Sequence, residues 1–151
     1  MATESDLVVV DASVVFKWEF DDEEYVAQAR ALRYDYGRGA IRAIAPRLLV
    51  YEIANAIATA IRQSRIIQDR CIEAVNNLFA LGVELRDIAL RDIAPLRILE
   101  LSLNYKLAAY DAAYLALAED EQCDLWTGYR IFYRAVRSQS PLVKWIGDYK
   151  R

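Results

Sequence analysis

The segment VVVDASVVFKWEF, residues 8–20, decides the reading of the fold. Leu7 and the three valines after it form a β-branched run without polar alternation, the pattern of a strand buried on both faces, and the run stops on a carboxylate, Asp11. Strands of that kind belong to parallel sheets covered by helices, whose ligand clefts lie beyond the carboxyl ends of the strands. Asp11 therefore falls at the site-bearing end. An aspartate in this place also suits the N-cap of the following segment, helped by Ser13, and residue type alone leaves both roles open.

Working outward, residues 13–20 suit a short helix, and Asp21 and Asp22 suit the start of a longer one through Glu24, Val26, Ala29 and Leu32, stopped by Gly37 and Gly39. Residues 41–45 form a second strand candidate. Pro46 is placed to open a helix bearing Leu48, Leu49, Ile53, Ala56, Ile57 and Ile61, with Glu52 inside it. Residues 67–81 predict a helix closed by Gly82, and residues 83–85 a third strand. A further helix runs from Asp92 or Pro95 to Leu107, and Asp111 begins the helix AAYLALAED. Residues 125–127 predict a fourth strand with Gly128 at its end, residues 130–137 a helix, and residues 142–146 a last strand after Pro141. This alternation predicts an α/β fold with a mostly parallel sheet and helices on both faces. No repeat or linker divides residues 1–151, so one domain is expected.

With 56% hydrophobic residues in 151, the chain can fill one core. No run approaches the roughly 18 apolar residues of a membrane span, and the start MATESD lacks the features of a secretory signal. A cytoplasmic protein without membrane contact is expected, with Cys71 and Cys123 as reduced thiols of the core. Histidine is absent, which removes Ser-His-Asp and Cys-His nucleophilic schemes and the usual zinc sites. The abundant carboxylates point instead to hard cations, Mg²⁺ or Mn²⁺. A net charge of −3 makes any RNA contact local, and Arg130, Arg134 and Arg137 recur at near-helical spacing as a candidate basic face. An ordinary solvated face would have the same spacing. Trp18, Phe20, Tyr25, Tyr34 and Tyr36 suit either core packing or a partner surface.

Glu52 is embedded in LLVYEIANAI, where a carboxylate must find a cation or hydrogen bonds, or else protonate. It shares a stripe with Asn55 and Thr59, which would also be the wet face of an amphipathic helix. Asp111 reads as an N-cap, a role compatible with a second one, since one carboxylate oxygen can cap while the other faces a cleft.

Four segments in order, VVVDASVVFKWEF, PRLLVYEIANAI, YDAAYLALAE and LWTGYRIFYRAV, together resemble a PIN domain and are similar to its VapC toxin branch, especially archaeal-type members. The resemblance implies a three-layer fold with a five-stranded parallel sheet and divalent-metal-dependent endoribonuclease activity on RNA. It also implies homodimerisation and an antitoxin protein that blocks the site. Asp11, Glu52 and Asp111 match the family's first three acids, and so its catalytic metal ligands for Mg²⁺ or Mn²⁺. Ser13 and Thr127 match supporting positions, and Asn55 lies on the stripe of Glu52. The pattern departs at Tyr129, where the family carries a fourth acid; Asp124 lies at the far end of the predicted strand and does not replace it. The departure leaves two expectations, a nuclease of weakened activity or a noncatalytic module that binds an antitoxin or RNA. A phosphatase of the haloacid-dehalogenase type also starts with a strand ending in Asp, but it needs an acid where Ser13 stands.

Overall fold

A computed structural model describes residues 6–80, 82–88 and 94–151. Five parallel strands, β1 (Asp6–Val10), β2 (Ile41–Pro46), β3 (Glu84–Arg86), β4 (Asp124–Thr127) and β5 (Val143–Trp145), form one sheet in the order β3-β2-β1-β4-β5. The helices are α1 (Ala12–Phe16), α2 (Val26–Gly37), α3 (Leu49–Arg62), α4 (Cys71–Ala80), α5 (Ala94–Tyr105), α6 (Ala109–Glu121) and α7 (Arg130–Val136). The α/β architecture expected from the sequence is thus present, and every strand pairing is parallel.

Successive residues of a strand face opposite sides of the sheet, so the burial of Val8, Val9 and Val10 means that β1 is covered on both. Helix α6 packs against β1, β2 and β4 and against α5. Its residues Ala112 to Ala118 are all buried, which removes the usual polar face and explains why its apolar pattern has no clear helical period. The alanines permit this close approach, and Tyr114, Leu115 and Leu117 fill the core between the strands.

Several boundaries differ from the sequence expectations, each for a local reason. Asp21 and Asp22 do not open α2. They pair with Arg30 and Arg65, and the helix starts at Val26 after Tyr25, which adopts a left-handed φ of 58°. Pro46 is the buried last residue of β2 rather than the first of a helix, and α3 begins at Leu49. A 3-10 turn at Gln68–Arg70 precedes α4, which starts at Cys71. Asp111 lies within the first turn of α6, whose N-cap position is Ala108. The last strand is the shorter Val143–Trp145. Leu81 and Asp92, expected as helix ends, lie outside the described residues, as does the start of the chain.

Both cysteines are free, Cys123 buried and Cys71 partly so. Trp18 and Phe20 are core residues, Tyr25 and Tyr36 pack at its edge, and Tyr34 is exposed. Among the described residues no helix is long and apolar enough to cross a membrane. If α6 anchors the core as its burial indicates, Leu115→Ala should lower unfolding stability by about 2–5 kcal/mol in urea titrations.

Candidate functional site

Strands β2 and β3 lie on one side of β1, and β4 and β5 on the other. The order therefore reverses between β1 and β4, and the carboxyl ends of these two strands frame the crevice. The ladder matches Val10 with Trp126, and the Asp11 N–H donates to the Trp126 carbonyl at 3.1 Å. Asp11 thus stands beside Thr127 as both strands end.

The Asp11 carboxylate is buried, 4% exposed, and its oxygen Oδ2 accepts hydrogen bonds from the Thr127 hydroxyl and the Ser13 hydroxyl, both at 2.7 Å. Each hydroxyl is itself fixed by a backbone donor. The Gly128 N–H donates to Ser13 Oγ at 2.8 Å and the Tyr129 N–H to Thr127 Oγ1 at 3.0 Å. Burial raises the proton affinity of Asp11 above the ordinary carboxylate range, opposed by the Thr127 and Ser13 hydroxyls and the N–H groups of Ala12 and Ser13. Asp11 occupies the N-cap position of α1, but its side chain makes no capping hydrogen bond there; its carboxylate is held by the Ser13 and Thr127 hydroxyls instead.

Glu52 lies in the first turn of α3, which packs on α1. Its neighbours Leu49, Ile53 and Ile57 are buried, and the carboxylate sits at the edge of that stripe. Burial first, then the negative charge of Asp11, pushes its pKa up to about 7, with Asp111 adding a smaller push. The Tyr114 hydroxyl is near enough to counter part of this without meeting hydrogen-bond geometry. Glu52 Oε1 and Tyr114 Oη are both buried without a hydrogen-bond partner. Asp111, partly buried, is raised to about 6 by burial and then by Asp11. The fully buried phenol of Tyr114, one turn beyond Asp111, is driven far above its ordinary value by burial and by the charges of Asp11 and Glu52.

The three acids thus lie within one another's fields, yet among the described residues no three acidic or sulfur side chains make a ready metal-ligand group. Their chemistry still fits a hydrated hard cation. Mg²⁺ retains several waters and takes one or two carboxylates, and Glu52 offers an oxygen that no protein group satisfies.

A cleft of about 370 Å³ opens beside Glu52, walled by Ser13, Lys17, Glu23, Asn55, Gly128 and Tyr129. Tyr129 is 43% exposed there and adds no charge where the sequence pattern lacks its fourth acid. Asp124 pairs with Val8 at the opposite end of β4, far from this cleft. Arg130, Arg134 and Arg137 are exposed on and just beyond α7. Arg130 lies over the Trp145 ring at 5.1 Å and 3.5 Å from Glu24, while Arg137 lies near the Tyr133 ring. Sequence reasoning missed Tyr114 and Lys17. The spacing Asp111 to Tyr114, one helical turn, was the available signal for the first.

No protein-family model matches the chain, and no curated protein matches it. Its fold is similar to that in the crystal structure of PAE2754 from Pyrobaculum aerophilum, with a TM-score of 0.67 over 94% of this chain and 92% of that one. The two sequences are 19% identical, a likeness of fold.

Carboxylates with raised proton affinity keep protons in the folded state that the unfolded chain has released. Their contribution to stability is full below the ordinary carboxylate pKa and is lost as pH rises through about 6 for Asp111 and about 7 for Glu52. In metal-free buffer, the urea midpoint should fall between pH 4.5 and 7.5, and the double variant Glu52→Gln, Asp111→Asn should flatten that fall.

Proposed function

We propose that the chain is a divalent-metal-dependent endoribonuclease of the PIN type, a cytoplasmic toxin paired with an antitoxin. The observation that carries this reading is the unpartnered, buried carboxylate oxygen of Glu52, set among the fields of Asp11 and Asp111 at the switch point of the sheet. The ordered resemblance of the four sequence segments supports it. Leu96, Leu99 and Leu103 form an exposed apolar stripe on α5, which supports homodimerisation.

A bound Mg²⁺ or Mn²⁺ would neutralise the acids and make a water it holds more acidic. Asp11 would present the carboxylate that Ser13 and Thr127 hold in one orientation, and Glu52 would offer Oε1. Glu52 holds its proton up to a pH of about 7 and Asp111 up to about 6, so cation binding below those values would release protons. The exposed Arg130, Arg134 and Arg137 suit contacts to the RNA backbone beyond the cleft.

A second reading, a noncatalytic binding module for an antitoxin or RNA, is favoured by Tyr129 and by the lack of a ready ligand group among the described residues. Calorimetry with Mn²⁺ and cleavage of single-stranded RNA separate the two. The nuclease reading expects Mn²⁺ affinity to rise from pH 5.5 to 7.5 with proton release. Thr127→Val should lower affinity and cleavage by about 10–100-fold, Asp11→Asn should lower them further, and Tyr129→Asp should raise cleavage. Equal cleavage by Asp11→Asn and wild type would contradict it, and no Mn²⁺ binding by wild type would favour the binding module.

A further inference from the structure

We propose that Lys17 is a positioning residue for substrate, its ammonium group holding a phosphodiester of single-stranded RNA in the cleft beside Glu52. This inference rests on the nuclease reading, whose site it deepens.

Lys17 follows α1 at its C-cap, and its side chain is only 6% exposed. An ammonium at the end of a largely buried side chain carries three donors, which protein groups or whatever enters the cleft must meet. Its ion-pair partner among the described residues is Glu23, at 3.6 Å, too far for a hydrogen bond. Glu23 is itself held more closely by Arg65 at 2.7 Å, and Arg65 also grips Asp22 and lies over the rings of Phe16 and Phe20. Glu23 therefore divides its charge between two cations and leaves Lys17 incompletely neutralised.

The site acids do not complete the neutralisation. Among the described residues Lys17 has no ion pair with Glu52 or Asp111. Lys17 nevertheless lines the same cleft as Glu52, Ser13 and Tyr129. The fold also keeps a place for its stem. A Cβ at Gly128 would lie 2.7 Å from Lys17 Cε and 3.5 Å from Nζ, so the glycine that follows Thr127 leaves room for the lysine along the cleft. A largely buried lysine whose ion pair with Glu23 is too long for a hydrogen bond, lining the same cleft as Glu52, matches a bound group that is anionic and brings its own acceptors. A phosphodiester has both properties, and its charge would be shared between the lysine and the metal side of the site.

The obvious variant, Lys17→Met, removes a buried charge and can disturb folding. Gly128→Ala is a second test that keeps the charge, because its new methyl meets side chains rather than backbone, the end of Lys17 first and Ile146 Cγ2 at 3.3 Å next. The probe is a fluorescently labelled single-stranded RNA read by anisotropy in metal-free buffer across a salt series, with Mn²⁺ affinity measured separately by calorimetry. Lys17→Met should weaken RNA binding about tenfold and reduce the magnitude of the log–log salt slope by about 0.7, the share of one phosphate contact. Gly128→Ala should weaken binding in the same direction, Lys17→Arg should restore most of it, and Mn²⁺ affinity should stay within about twofold in the two Lys17 variants. RNA binding and a salt slope unchanged in both Lys17→Met and Gly128→Ala would overturn the proposal. So would loss of RNA binding, Mn²⁺ binding and melting temperature together, the mark of a structural lysine, or a wild type that does not bind RNA. Lysine-dependent RNA binding in a wild type that takes up no Mn²⁺ would instead sink the metal-dependent reading and leave the phosphate contact standing.

Discussion

The carboxylate of Asp11 is buried where β1 and β4 end side by side, and much of the surrounding structure follows from accommodating it. A charge in that position is costly unless hydrogen bonds meet it. Thr127 and Ser13 both donate to Oδ2, and their own oxygens are held by the N–H groups of Tyr129 and Gly128. The end of β1, the start of α1 and the turn from β4 into α7 are thereby tied together. The same ties orient the carboxylate and leave its proton affinity above the ordinary range, because desolvation outweighs the hydrogen bonds.

Asp11 in turn shapes its neighbours. Its charge adds to the effect of burial on both Glu52 and Asp111, and it reaches the phenol of Tyr114. Three carboxylates whose ionised forms oppose one another, with an unsatisfied oxygen on Glu52 and an unsatisfied hydroxyl on Tyr114 beside them, would on the proposed reading gain from an added cation. On the proposed reading, the strain of bringing the acids together in the apo state is the source of metal affinity, and Lys17 serves the anionic partner of that metal. On the same reading, Tyr129 stands at the family's fourth acidic position, so one cation is expected rather than two.

How much of this was legible in the sequence depends on whether the signal is local. Val8 to Val10 announced a doubly covered strand because β-branched residues without alternation have few other uses, and the strand's end placed Asp11. Glu52 was conspicuous because a carboxylate among aliphatic residues needs a reason. The acids Asp21 and Asp22 misled as a helix start, since their partners Arg30 and Arg65 lie 9 and 43 residues away, a relation that no local pattern reveals. Pro46 suits a strand end as well as a helix start, and only the pairing with Arg86 decides between them. Tyr114 and Lys17 were missed for a related reason: whether a phenol or an ammonium is buried depends on what tertiary packing brings over it. The Lys17 environment requires α1, Glu23 and Gly128 together.

The most direct test of the central claim, that Asp11, Glu52 and Asp111 constitute a divalent-cation site, is the anomalous difference map of a crystal soaked in Mn²⁺ near pH 7.5. The account predicts one peak at the carboxyl ends of β1 and β4, within about 2.0–2.3 Å of Glu52 Oε1 and of an oxygen from Asp11 or Asp111. A map without a peak there at saturating Mn²⁺, with Glu52 Oε1 accepting a hydrogen bond from Tyr114 instead, would contradict it.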